Sequence, residues 1–204
     1  MRAERTEQEL ADRQAICELV RMERFWRDRG EWERLAECYT EDSRVRTTWF
    51  HGTGREFAEA SREMAQRGRH SLHLIAPTHV RVNGDRALVE SQGEIHNRGS
   101  IDGVEVDSIM YCRFFSRVRR TERGWQLASF DGIYHKDVIA PVNPGERVPI
   151  EWERLRHLRP SYRIWAYMIS LRGYEIGPDE LGDDRPDLLG PFYAAADAWL
   201  ADGV

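Results

Sequence analysis

Lysine is almost missing from this chain of 204 residues. Lys136 is the only one, and arginine supplies the rest of its 30 basic residues. Acidic residues outnumber basic ones, 35 to 30, and the formal net charge is −5. A chain short of positive charge lacks the field that a phosphate backbone needs, so nucleic acid is not its main partner. Cysteine is scarce too: Cys17, Cys38 and Cys112 stand apart, with no Cys-x-x-Cys pair and no Cys/His cluster. That excludes a disulfide framework and points to reduced thiols in the cytoplasm. No apolar run approaches the ~18 residues of a membrane span. The opening MRAERTEQELADRQ lacks the apolar segment of a signal peptide. Gly-x-Gly-x-x-Gly, P-loop, Gly-x-Ser-x-Gly and His-Glu-x-x-His motifs are all missing. No cofactor and no metal are therefore expected.

What is there is a change of period. Thr6 to Arg27 carries Ile16, Leu19, Val20 and Glu23 at helical spacing. Thr6 and Glu9 form a capping box at its start, and the Asp28-Arg29-Gly30 step ends it. A short helix is expected over 31–39, a strand over 43–50 and a third helix over 55–67. From Ser71 the period falls to two. Strands are expected over 71–82, 86–96, 106–120 and 125–135, with a type I′ turn at Asn83-Gly84 and a polar loop over 97–103. Helices followed by an antiparallel meander define an α+β fold. After Lys136 a Pro/Gly-rich connector leads to three aromatic-rich helical segments, over 152–157, 161–173 and 185–201. The chain therefore divides into a core domain, 1–140, and a helical extension, 141–204. The extension is expected to pack on the core or on a partner subunit, or to lid a pocket.

Three segments carry a resemblance. FWRDRGEWERLAECYTEDSRV, SLHLIAPTHVRVNGDRALV and GWQLASFDGIYHKDVIAPV resemble, in that order, the opening helices, the hairpin and the closing strand of the SnoaL-like, scytalone-dehydratase-like branch of the NTF2-like superfamily. The resemblance covers roughly residues 8 to 140. It implies a cone: a curved antiparallel sheet packed against N-terminal helices around one apolar pocket. The fold hosts many functions and does not fix the chemistry.

In scytalone dehydratase and in hexachlorocyclohexane dehydrochlorinase, an Asp after the first helix pairs with a His on the first meander strand. Asp28 and His73 match those positions, which implies a general-base dyad. A carboxylate can orient an imidazole and stabilise its protonated form. Read from the residues alone, the simpler reading is that Asp28 ends a helix and His73 is a satisfied core histidine. His96 matches a second histidine of scytalone dehydratase, which implies that it protonates a departing hydroxyl or holds a carbonyl oxygen. It shares one face with Glu90, Gln92 and Glu94, either a pocket wall or solvent surface. Ser129 and Asp131 fall on the last strand, where the relatives place polar pocket residues. The dehydrochlorinase has an arginine near Ser129, and that departure argues against halide abstraction. An Asp131 inside an apolar cone would have a raised pKa; as a strand-end acid it would not. Tyr39, Trp49, Phe50 and Met110 are candidate substrate contacts, although such residues are more often core.

Two classes of function follow. One is a cofactor-free lyase, a dehydratase of a small cyclic carbonyl, polyketide-like or steroid-like molecule, with an isomerase of the same substrates, or a hydrolase whose dyad activates water, as its variants. The other is a non-catalytic pocket protein, or a protein like the small subunit of a ring-hydroxylating oxygenase. A dyad facing a cavity favours the first. A homodimer or higher homo-oligomer is expected, through the outer sheet face near Phe114 and Phe115.

Overall fold

The computed structural model describes residues 6–173 and 175–203. Helix α1 (Glu7–Arg29) opens on the expected box: Thr6 Oγ1 accepts from the Glu9 amide, and Glu9 accepts from the Thr6 amide. Gly30 closes it at φ 73°, a left-handed value suited to glycine. Asp28 thus lies within the last helical turn rather than after it. Helix α2 (Trp32–Glu37) leads into β1 (Tyr39–Thr47), β2 (Phe50–Gly52) and α3 (Gly54–Gln66). The meander is β3 (Ser71–Asn83), β4 (Arg86–Ile101), β5 (Val104–Thr121) and β6 (Gly124–Pro141).

The six strands form one sheet in the order β2-β1-β6-β5-β4-β3. All neighbours are antiparallel except β1 and β6, which run parallel. The sheet is therefore mixed at that one join. Two expected turns also differ. Residues 97–101 continue β4, and the tight turn is Asp102-Gly103, with φ of 45° and 85°. That is the type I′ pattern. At the other hairpin only Gly84 has positive φ, so Gly84-Asp85 is the two-residue loop between the paired Asn83 and Arg86.

The concave face of the sheet packs on α1 and α3. Ile16, Val20, Leu35, Phe57, Val89, Phe114, Leu127 and Phe130 form its core. The convex face is not bare. Helix α6 (Pro186–Ala201) lies on it, and Ala196 and Leu200 pack with Leu88, Phe115, Ile133 and Leu181. This overturns the expectation that Phe114 and Phe115 anchor a dimer. Phe114 points into the cone, and Phe115 is 3% exposed, edge-on to Phe192 and Tyr193 of α6. Between β6 and α6 in the chain come α4 (Trp152–Leu155), a 3-10 turn (Pro160–Tyr162) and α5 (Arg163–Ser170), the last two packed against β6. The tail thus packs on its own core. No helix among the described residues is long and apolar enough to cross a membrane.

Candidate active site

Asp28 and His73 meet where the end of α1 crosses the start of β3. Both carboxylate oxygens are used. Oδ1 lies 2.6 Å from His73 Nδ1, and Oδ2 accepts the His73 backbone amide at 2.7 Å. This two-point clamp fixes ring and backbone together. An ionised carboxylate only accepts, so Nδ1 carries the proton and Nε2 keeps its lone pair. No described group hydrogen-bonds Nε2. The His73 side chain is 3% exposed. Burial pushes its pKa down to about 3; the Asp28 bond opposes this, and the nearby Arg27 and Arg24 reinforce it. The ring is therefore neutral at neutral pH, the form a proton acceptor needs.

A void of about 30 Å³ adjoins the ring, lined by Arg24, Arg27, Trp49, Asn97, Met110, Phe114 and Trp165 among others. That is room for about one or two waters. A larger cleft of about 430 Å³ runs past Glu33, Thr40 and Arg55, but it is open and does not include His73. Chemistry, not size, marks the smaller space.

Two arginines and a glutamate from α1 share the cone interior. Glu23 and Arg24 are 1% and 3% exposed and form a two-point ion pair. Burial works against the charge on Arg24, but the Glu23 carboxylate holds its pKa above the usual arginine range. Arg24 stacks over Phe130 at 4.3 Å. Tyr39 donates to Glu23 at 2.6 Å, and burial beside that carboxylate raises its pKa well above the ordinary value. Its ring lies against Gly54, where an added Cβ would meet it at 2.1 Å. Tyr39 therefore braces the ion pair rather than facing the void. Arg27 lies 5.7 Å from the Trp49 ring. Burial, with Arg24 close by, lowers its pKa to about 10, so it stays charged. Sequence reasoning missed Arg24 and Arg27. The signal was Glu23, a charge standing in the apolar stripe of α1.

The remaining candidates divide. Trp49 and Met110 line the void. Phe50 packs at a tilt against Trp49 and Phe57, one layer behind it. His96 does not enter the cone. Directly paired residues share a face, and His73 pairs with Ile95 while His96 pairs with the exposed Leu72. His96 lies outside, 2.9 Å from Glu94. Asn97 stands on the inner face instead.

Ser129 and Asp131 also point outward. The pairing of β5 with β6 slips between Arg117 and Val118, leaving Ala128 as an extra residue. Such a bulge reverses the parity of everything beyond it. Leu127 and Phe130 thus both face the core, and Ser129 and Asp131 line an outer groove with Arg44, Arg46 and Arg117. Asp131 does have a raised pKa, about 6, because it is buried there, but not inside the cone.

The mouth of the cone is closed by the tail. Trp165 donates from Nε1 to Thr48 Oγ1 at 3.1 Å, and its backbone amide donates to Asp137 at 2.8 Å. Tyr162 packs edge-on against Tyr134, whose hydroxyl accepts the Thr48 amide at 3.1 Å.

The mixed-sheet α+β cone has the NTF2-like architecture. The SnoaL-like domain family matches residues 8–131, and the chain belongs to it. The PEP2-like protein NECHADRAFT_97050 of Fusarium vanettenii is 28% identical over 193 residues, covering 86% of this chain and 79% of that one. Among solved structures, a candidate scytalone dehydratase from Novosphingobium aromaticivorans superposes at TM-score 0.54 and 19% identity, over 72% of this chain and 98% of its own. A hexachlorocyclohexane dehydrochlorinase, LinA type 2, gives TM-score 0.54 and 16% identity, over 70% and 97%. An NTF2-like protein with a cystatin-like fold, also from Novosphingobium aromaticivorans, gives 0.50 and 24%, over 61% and 82%. These likenesses establish the fold.

Proposed function

We propose that this protein is a cofactor-free acid–base enzyme, a dehydratase of small cyclic carbonyl compounds. The observation that carries the reading is His73: buried, neutral, clamped at Nδ1, with Nε2 free beside a void. Nε2 takes a proton from the carbon next to the carbonyl, and the C–H electron pair becomes the enolate. The protonated ring, held by Asp28, then returns that proton to a β-hydroxyl as it leaves. One C–H and one C–O bond break, a C=C bond forms, and water departs. With His96 outside the cone, His73 serves as both base and acid. A proton returned to another carbon would make the same site an isomerase. The void of about 30 Å³ holds no such substrate until the Thr48–Trp49 turn and Trp165 part.

The test is incubation with cyclic β-hydroxyketones in D2O. Conjugated-enone absorbance reports dehydration, and deuterium at the α-carbon reports proton abstraction. Wild type should show both, and His73→Gln neither. Enone formation at the wild-type rate in His73→Gln would refute the reading.

A further inference from the structure

The two carboxylates of the cone interior are fully used. Glu23 is engaged by Arg24 and by the Tyr39 hydroxyl. Asp28 gives one oxygen to the His73 ring and the other to its backbone. Arg27 is left over. It is 8% exposed, and its Nε has no hydrogen-bond acceptor. Its ion pair, to Asp28, spans 3.9 Å. A buried guanidinium with donors unmet is costly unless something answers it. Asn97 repeats the pattern from the opposite wall. Its Oδ1 accepts from Ser71 at 2.6 Å, while its buried Nδ2 donates to nothing. Both residues line the void that holds His73. Beside the lone pair of His73 Nε2, the wall of this space therefore carries two buried, unanswered donors, one of them cationic.

We propose that this void is an oxyanion site: Arg27 and Asn97 hold the substrate's carbonyl oxygen as it becomes an enolate. The inference deepens the acid–base reading and rests on it for the proton step, but the anion site stands on its own donors. When Nε2 removes the α-proton, the C–H pair moves into the carbon–carbon bond and the carbonyl pair moves onto oxygen. The new negative charge falls on the oxygen that Arg27 and Asn97 face, and the new positive charge falls on His73 beside Asp28. Charge is separated within one small space walled off from bulk water, where prearranged donors act most strongly. This narrows the substrate class to enolisable ketones and related compounds whose carbonyl oxygen enters first. A guanidinium selects a planar anionic oxygen over a neutral hydroxyl.

The probe is 4-nitrophenol, whose absorbance separates the neutral and ionised forms, and whose phenolate resembles an enolate. Wild type is expected to bind the ionised form and to lower the pKa of bound phenol. Arg27→Met should weaken phenolate binding by about tenfold or more, the loss of one charge-assisted hydrogen bond. Asn97→Asp answers Arg27 internally and should do the same, which keeps the test open if Arg27→Met fails to fold. His73→Gln should keep phenolate binding while losing α-deuterium exchange. Phenolate affinity within about twofold of wild type in folded Asn97→Asp or folded Arg27→Met, or no phenolate binding to wild type, overturns the anion site. Phenolate binding as expected, with no carbon acid exchanging, would instead leave the anion site standing and remove the base reading. Exchange undiminished in Asn97→Asp would do the reverse.

Discussion

Asp28 shows how much one carboxylate can fix. It meets two donors on one residue, and an amide cannot accept from both without turning its NH2 toward one of them. Asp28→Asn should therefore release the His73 tautomer and lower turnover by roughly 10²- to 10⁴-fold. Nitrogen-15 shifts of the ring would check this: one tautomer in wild type, a mixture in the variant. The buried ring also sets a pH expectation. A base with a pKa of about 3 stays neutral far below the ordinary histidine range, so its protonation should not cut kcat/KM between pH 7 and about 4. Stability moves differently. The unfolded chain protonates this histidine near pH 6.5 and the folded chain only near 3, so this contribution is lost as pH falls through that window. Asp131 has the opposite sign. Its folded pKa of about 6 exceeds the ordinary value of 3.8, so it costs stability above pH 6 and that cost fades as pH falls. Asp131→Asn should raise Tm at pH 8 by a few degrees, with no gain below about pH 4. Calorimetry at the two pH values would decide.

At the scale of elements, one extra residue in β6 decides which strand positions belong to the site. The bulge at Ala128 brings Phe130 inward and sends Ser129 and Asp131 to the outer groove. Helix α5 decides access. Trp165 bonds to Thr48 across the mouth, and Trp49 beside it forms part of the wall. Trp165→Ala removes a large aromatic contact and that hydrogen bond. Amide exchange should rise at Trp49 to Gly52 and stay unchanged at Val106 to Val118. Equal exchange in both proteins would mean that α5 does not hold the mouth shut.

The whole molecule is three layers: α1 and α3, the sheet, and α6. The third layer covers Leu88, Phe115 and Ile133, all 3% exposed or less. Ending the chain after Val142 would bare that row and remove Tyr162 and Trp165 from the mouth. Uncovered apolar patches of this kind promote association. The shortened protein should bind anilinonaphthalene sulfonate and aggregate, and the full chain should do neither. Monomeric, dye-silent behaviour would show that the sheet's outer face tolerates water. The two buried thiols play no part in this, because burial raises the pKa of Cys38 and Cys112 to about 12 and leaves both unreactive.

Local chemistry alone determined the caps of α1 and the four meander strands, each written in short-range spacing: a capping box or a period of two. The pairing of Asp28 with His73, 45 residues apart, came only from the family resemblance. The sequence also put Glu90, Gln92, Glu94 and His96 on one face, because alternation is local. It could not say which face was inside. The tertiary structure decided that through cross-strand register, which pairs His73 with Ile95. Register depends on partners far along the chain, and a single bulge inverts it, which is why Ser129 and Asp131 were misplaced. The charges inside the cone were hidden for the same reason: whether Arg27 meets water or a void is settled by what packs around α1, not by its neighbours in sequence.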